Sequence, residues 1–449
     1  MTDRARLIDK IVAKLADRRL VWFGTRGDDV QSVAELPQLS AVFSVINAYS
    51  PSDHMTAMSL EELSRRRVDL DTFSVDDHPQ DMMVDVLRNA IYTALSGPSA
   101  ILTYRPSEFL SAITFAKQGH TAYLGLFAGI QQAFEHKPWV ESAIAELGVP
   151  RVPWHYIADS EFTRAHRLLY DGPVMLRRSR TTGGVGFNLV ESKEQLERRW
   201  PSASEAFVSV APYLEGAIPV NVSGVVWQEG VSVHPASIQL IGIKGCTTRK
   251  FAYCGNDFAA VTDLGRETIE DIESAVRAVG GWLRSQGYLG AFGVDFLVHN
   301  GVPLFSEVNP RFQGSTRLSC DIAVEMGLGC LLLEHIASFL GIQKPAQPSL
   351  WEISAGAPPR AQIVVHHTGD TASAVDPTYT VDAFEASGNL LRADVLTHPA
   401  LDTDPCATVA RLTVDRAVTR CGYELVPDFN RILTDLKSHA GVSAAMARA

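Results

Sequence analysis

Between residues 293 and 316 the chain reads GVDFLVHNGVPLFSEVNPRFQGST, which gathers the residue types needed to hold a hard cation and a phosphate chain. Side chains two apart on an extended strand share a face, so Glu307, Asn309 and Arg311 point the same way if SEVNPR is extended. Asp295 joins them from the preceding apolar run, because Asn300-Gly301 is a hairpin dipeptide that tolerates positive φ. Pairing about that turn sets residues 297–299 against 302–304 and brings Asp295 to Ser306 or Glu307. Two carboxylates and a carboxamide oxygen then converge. That donor set suits Mg²⁺ or Mn²⁺, which prefer oxygen and leave positions for water and substrate phosphates. Arg311 adds a planar, permanently charged fork for phosphoryl or carboxylate oxygens. Pro310 cannot donate to a ladder, so the strand should end where these groups are displayed. An edge hairpin with solvated charges has the same spacing, but the compact E-V-N-P-R run favours the metal reading.

Upstream, PVMLRRSRTTGGVGFNLV reads as strand, Ser/Thr/Gly loop and strand. Gly183, Gly184 and Gly186 permit positive φ and close backbone approach, so successive N–H groups can form a nest over phosphates. A ligand-free hairpin turn has the same composition. Neither a P-loop nor a G-x-G-x-x-G fingerprint is present, and no H-E-x-x-H or G-x-S-x-G motif competes. The adjacent His366 and His367 point to opposite faces of a strand and read as surface residues.

The elements that must position these groups follow from periodicity. In the first third, strand-like runs at 20–24, 41–46, 68–73 and 100–104 alternate with helical patterns at 61–67, 81–95 and 107–118, which predicts an open α/β sheet with a ligand at its strand ends. An α+β region follows. A helix begins near Lys137, strands are expected at 174–177, 186–190, 206–210, 220–228 and 231–240, and helices at 191–200 and 266–286. Residues 318–340 read as a helix broken near Gly327 and Gly329, and PAQPSLWE as a linker. Strands at 361–366 and 407–412 place a small α/β unit at the end.

At 449 residues the chain exceeds one ordinary core. Its 46% apolar and 20% charged residues describe a globular protein, and a net charge of −11 argues against general nucleic-acid binding. Six cysteines without a C-x-x-C pair or zinc spacing read as reduced thiols. The opening is a charged amphipathic helix, and no apolar run approaches the roughly 18 residues of a membrane span. The expectation is a soluble cytoplasmic protein with no nucleic-acid or membrane partner.

Taken in order and spacing, the Lys137 helix, the Gly loop, the SVAPYLEG strand and the D-x11-E-x-N-P-R hairpin resemble the ATP-grasp superfamily over about residues 137–340, in particular its stand-alone carboxylate–amine ligases. The resemblance implies an N-terminal α/β domain (1–135), an ATP-grasp core of two subdomains (136–212 with the Gly loop, 213–343 with the metal site) and a C-terminal α/β accessory domain (351–449). It implies ATP and, typically, two Mg²⁺ or Mn²⁺ ions on Asp295, Glu307 and Asn309. Arg311 and Arg177 take catalytic roles, and Lys137, Arg177, Gly183, Gly184, Gly186, Tyr213 and Leu214 hold ATP. Arg177 stands where the family usually has a lysine. Ala211-Pro212 replaces the acidic residue beside adenine, and Asn221, near the usual ribose carboxylate, could bind a hydroxyl. Arg249, Lys250 and Arg317 could bind the acid substrate, although Arg249 and Lys250 also suit a solvated loop. The implied reaction activates a small-molecule carboxylic acid as an acyl phosphate and passes it to an amine or peptide with release of ADP and phosphate. A homodimer is compatible with this reading. Bicarbonate activation and a non-catalytic ATP sensor are the rivals.

Overall fold

The computed structural model describes residues 2–110, 119–178, 184–200 and 207–433. Gly183 and residues 111–118 of the helix expected at 107–118 lie outside them.

The first region is a five-stranded, all-parallel sheet, ordered Thr56–Ser59, Leu39–Ile46, Arg19–Arg26, Ser99–Thr103, Thr121–Leu124. Its central strands are buried on both faces, as their continuous apolar runs require. One face packs on helix Met82–Ala94, which Asp81 caps by accepting from the N–H groups of Met83 and Val84. The strand expected at 68–73 is absent. Asp69 turns the backbone there by accepting from the N–H of Asp71 and the hydroxyl of Thr72, and Thr56–Ser59 takes the edge position instead.

The second region is built on a nine-stranded antiparallel sheet that runs Val302–Asn309, Gly290–His299, Ile218–Val226, Ser237–Ile241, Tyr253–Asp257, Ala361–His366, Thr408–Val414, Leu390–Asp394, with Val231–Val233 pairing on Ile218–Val226. The long strand expected at 231–240 is split in two where Pro235, unable to donate, interrupts the ladder. Helix Arg266–Ser285 lays its apolar stripe of Ile269, Ile272, Val276, Val279 and Leu283 on this sheet. The C-terminal strands add to the same sheet beyond Tyr253–Asp257. PAQPSLWE is only partly a linker, since Ser349 and Glu352 form a capping box that starts helix Leu350–Gly356. His366 and His367 are buried, not surface-exposed. The ring nitrogens of His366 meet the carbonyls of Cys406 and Tyr253, so the main chain on both sides supplies its polar partners.

A four-stranded antiparallel sheet, His155–Ile157, Val208–Pro212, Val174–Arg178, Phe187–Val190, forms the third layer. It is joined to the hairpin at Val152, whose N–H donates to the carbonyl of Phe305. Helix Lys137–Glu146 begins with Pro138 in its first turn, as its sequence predicts. Among the described residues no helix is long and apolar enough to cross a membrane.

One buried histidine couples the parallel sheet to the hairpin. His335, on helix Leu331–Phe339, accepts the N–H of Ala291 at Nδ1 (2.9 Å), so its proton sits on Nε2 and is donated to the carbonyl of Leu124 (2.9 Å). Burial pushes its pKa down to about 4. The unfolded chain therefore takes up a proton near the usual histidine pKa of about 6.5 that the folded chain refuses until about 4. Stability from this site is complete above that upper limit and lost as pH falls towards 4, by on the order of 3 kcal/mol. Urea unfolding at pH 7 and pH 4.5 should show this fall, and His335→Gln should have a flatter profile. An equally steep profile in the variant would assign the loss to other groups.

Candidate active site

The hairpin sets Asp295 directly opposite Glu307, with a bulge beside Phe296 that leaves Ser306 unpaired. The bulge resolves the choice between Ser306 and Glu307 and aims both carboxylates at one cavity. Asn309 ends the strand, and Asp295, Glu307, Asn309 and Arg311 all line the same space of about 340 Å³. Facing them are Thr25, Arg26 and Arg105 at the carboxyl ends of the parallel strands. Ligands of open α/β sheets bind at those ends.

Asp295 is held by four carboxamides. It accepts from Asn221 (2.6 Å), Asn309 (2.9 Å), Gln239 (3.2 Å) and, weakly, Gln313 (3.5 Å). Burial, and then the charge of Glu307, raise its pKa to about 7 against the pull of those amides. Glu307 is also penalised by burial, but Lys137, Arg177 and Arg311 outweigh that and hold its pKa below the usual value. The Lys137 ammonium lies 3.3 Å from Glu307. Two carboxylates thus share a desolvated space in which their repulsion is only partly cancelled, and one ammonium already supplies positive charge. A divalent cation fits this donor set, because it would discharge both carboxylates while the Asn309 oxygen adds a third hard ligand.

Arg177 is fully buried. Its Nη2 donates to Glu141 (3.1 Å) and its guanidinium lies 4.0 Å from the centre of the Trp154 ring, while Nε and Nη1 have no hydrogen-bond partner among the described residues. Arg177 does not line the cavity and Glu141 already answers its charge, so its two remaining donors are all that it could offer to an acceptor such as a phosphate oxygen. Gly184 and Gly186 take φ of +75° and +83°, as the nest requires, and Gly184 lines the cavity. A Cβ on Gly184 would overlap the carbonyl of Phe251, which is backbone and cannot rotate away. Gly184→Ala should therefore lift the loop and weaken nucleotide binding by about tenfold or more with little change in the melting temperature. Titration with a fluorescent ATP analogue checks this, and unchanged affinity would detach the loop from the nucleotide.

Tyr213 and Leu214, directly after Val208–Pro212, line the cavity as expected. Asn221 lines the cavity, and its polar atoms are already engaged within the protein. Its amide donates to Asp295 and Gln313 and its oxygen accepts from Ser315, so it braces the carboxylates. The three basic residues assigned to an acid substrate are not brought to the cavity wall. Arg249 pairs with Asp69 (2.5 Å) and Asp71 (3.6 Å), and the Lys250 ammonium lies 5.6 Å from the centre of the Phe251 ring. Arg317 donates to Asp321 (3.1 Å) and to the carbonyl of Asp28. Asp69 answers Arg249 from a distant segment, of which sequence spacing carries no trace, whereas Asp321 lies four residues from Arg317 on the same helix and Phe251 directly follows Lys250.

Sequence reasoning missed Gln239 and Gln313. Gln313 sits in RFQGST beside the recognised run, and its carboxamide occupies the space above Gly293 where a Cβ would overlap it. Gln239 arrives from another strand without a local signal. Arg105 and Tyr253 on the cavity wall were likewise invisible.

Residues 137–315 match the ATP-grasp domain family. A formate-dependent phosphoribosylglycinamide formyltransferase of Pelobacter propionicus is 25% identical over 175 residues, which cover 38% of this chain and 41% of that protein. The match thus spans about two fifths of the relative's length. Among solved structures, carboxyaminoimidazole ribonucleotide synthase of Aspergillus clavatus, complexed with ATP, aligns with a TM-score of 0.58 at 14% identity over 89% of this chain and 94% of its own. Biotin carboxylase of Campylobacter jejuni aligns with a TM-score of 0.57 at 14% identity over 90% and 89%. At such identities the likeness is one of fold.

Proposed function

From the match of residues 137–315 to the ATP-grasp domain family, we propose that the chain is an ATP-dependent carboxylate–amine ligase that forms a carbon–nitrogen bond through an acyl phosphate and releases ADP and phosphate. The observation that carries this reading is the convergence of Asp295, Glu307, Asn309 and Arg311 on the cavity that the linker segment and Gly184 also line. A free carboxylate resists attack by an amine because its leaving group would be an oxide, whereas a phosphorylated carboxylate has a good one. The protein's work is then to align donor and acceptor and to neutralise charge on the transferring phosphoryl group.

Asp295, Glu307 and Asn309 would hold Mg²⁺ or Mn²⁺, which when bound neutralises the β- and γ-phosphates. Lys137 and the free N–H groups of Arg177 clamp the same chain, and the Gly184–Gly186 amides cover it. The segment at Ala211–Leu214 offers backbone and an aromatic ring to the base. Arg311 is braced from behind, its Nη2 on Asn309 (3.2 Å) and its Nη1 on the carbonyl of Phe312 (3.2 Å), so its fork is held ready for the acceptor carboxylate and the later oxyanion.

A second reading has its own support. Carboxyaminoimidazole ribonucleotide synthase and biotin carboxylase share the fold along most of this chain, and in that reading the acid is bicarbonate. A product screen separates the two. ATP, Mg²⁺ and mixtures of amino acids are incubated with and without bicarbonate, condensed products are sought by mass spectrometry, and ADP and AMP are assayed separately. ADP release dependent on amino acids, with a condensed product, is expected. Release dependent on bicarbonate alone would favour carboxylation, AMP would overturn the acyl-phosphate route, and ATP binding without turnover under any acceptor would leave a sensor.

A further inference from the structure

Of the arginines that line the cavity among the described residues, Arg26 lies 3.2 Å from Asp29 and Arg311 lies 3.9 Å from Glu135. Off its wall, Arg249 is on Asp69 and Arg317 is on Asp321. Asp71, on the cavity wall, is 3.6 Å from Arg249. Arg105 differs. It follows strand Ser99–Thr103 by two residues, lines the cavity beside Tyr104, and is half-buried. Among the described residues it makes no ion pair within 4.0 Å and no hydrogen bond, and the nearby Arg311 opposes its charge. Burial, and then Arg311, lower its pKa, which Glu135 and Asp76 only partly offset.

A desolvated guanidinium beside a second one is unfavourable unless an anion is placed between them or against one of them. Arg311 is already tied to Asn309 and the Phe312 carbonyl at the hairpin end, where the activated carboxylate would lie. Arg105 stands on the other wall, at the end of the parallel sheet, with all of its donors available among the described residues.

We propose that the organic substrate seated against the parallel sheet carries an anionic group, carboxylate or phosphate, beyond the carboxylate that is activated, and that Arg105 binds it. This rests on the ligase reading and narrows its substrate class. A planar fork suits either group, since both offer two oxygens in one plane.

The test uses the full chain with Mg²⁺ and ADP, and titrates propionate, succinate and 3-phosphonopropionate by calorimetry. Succinate or 3-phosphonopropionate should bind about tenfold or more tightly than propionate, and whichever of the two binds better identifies the anionic group. Arg105→Gln should erase that preference with the melting temperature unchanged, and Arg105→Lys should keep much of it. Equal affinity for the three probes, binding of none, or a preference that survives Arg105→Gln would each overturn the proposal. ADP affinity, measured first, keeps the two readings apart. Absence of ADP binding by the wild-type chain counts against the ligase reading, whereas ADP binding without anionic preference removes only the assignment to Arg105.

Discussion

Glu307→Gln should lower ADP release by roughly a hundred- to thousandfold while the protein melts no earlier than the wild type. The two halves of that expectation have one cause. Glu307 faces Asp295 across the hairpin in a desolvated space, and their mutual repulsion contributes to the raised pKa of Asp295. Replacing one carboxylate by an isosteric amide removes that repulsion. It also leaves the Lys137 ammonium without its 3.3 Å partner, a loss that offsets part of the gain. Stability is therefore about level. Activity is not, because the site loses the charge that would hold the divalent ion and with it the neutralisation of the transferring phosphoryl group. Such opposition between stability and activity is the usual mark of residues arranged for function. Steady-state kinetics in the substrate mixture that supports turnover, with a thermal melt alongside, tests both halves. Wild-type activity in the variant would remove Glu307 from the site.

Arg311→Lys is expected to lower kcat by about a hundredfold with the KM for ATP little changed. Lysine keeps the charge but not the fork. In the native site the guanidinium is oriented by Asn309 and the Phe312 carbonyl behind it, so its remaining donors are presented in a fixed plane. An ammonium on a flexible stem has no such plane and would relax towards Glu135, which lies 3.9 Å from Arg311 Nε. The split between kcat and KM is the informative readout. A raised KM for ATP with kcat preserved would place Arg311 on the nucleotide and not on the acceptor.

Local pattern carried the hairpin. Asn300-Gly301 dictated the turn, alternation dictated which residues share a face, and Pro310 dictated where the strand ends, so Asp295, Glu307, Asn309 and Arg311 meet as the spacing requires. Other local signals were as reliable. Asp81 caps its helix, Pro138 opens the helix that carries Lys137, and the break at Gly327 and Gly329 separates two helices. Each of these depends on interactions within a few residues, which is why the chain alone displays them.

Contacts between distant segments were not legible. The stretch at 68–73 has a strand's composition, yet Asp69 bends it and its carboxylate answers Arg249 from 180 residues away. Arg249 and Arg317 resemble substrate ligands until the fold supplies Asp69 and the carbonyl of Asp28, and Asn221 resembles a rim residue until the neighbouring strand places Asp295 against it. The sequence by itself determined the hairpin chemistry and the order of the elements that flank it. Only the tertiary structure decided which charges are cancelled within the protein, as at Arg177 by Glu141, and which, as at Arg105, have no ion pair among the described residues, because charge pairing depends on distance in space and local spacing does not record it.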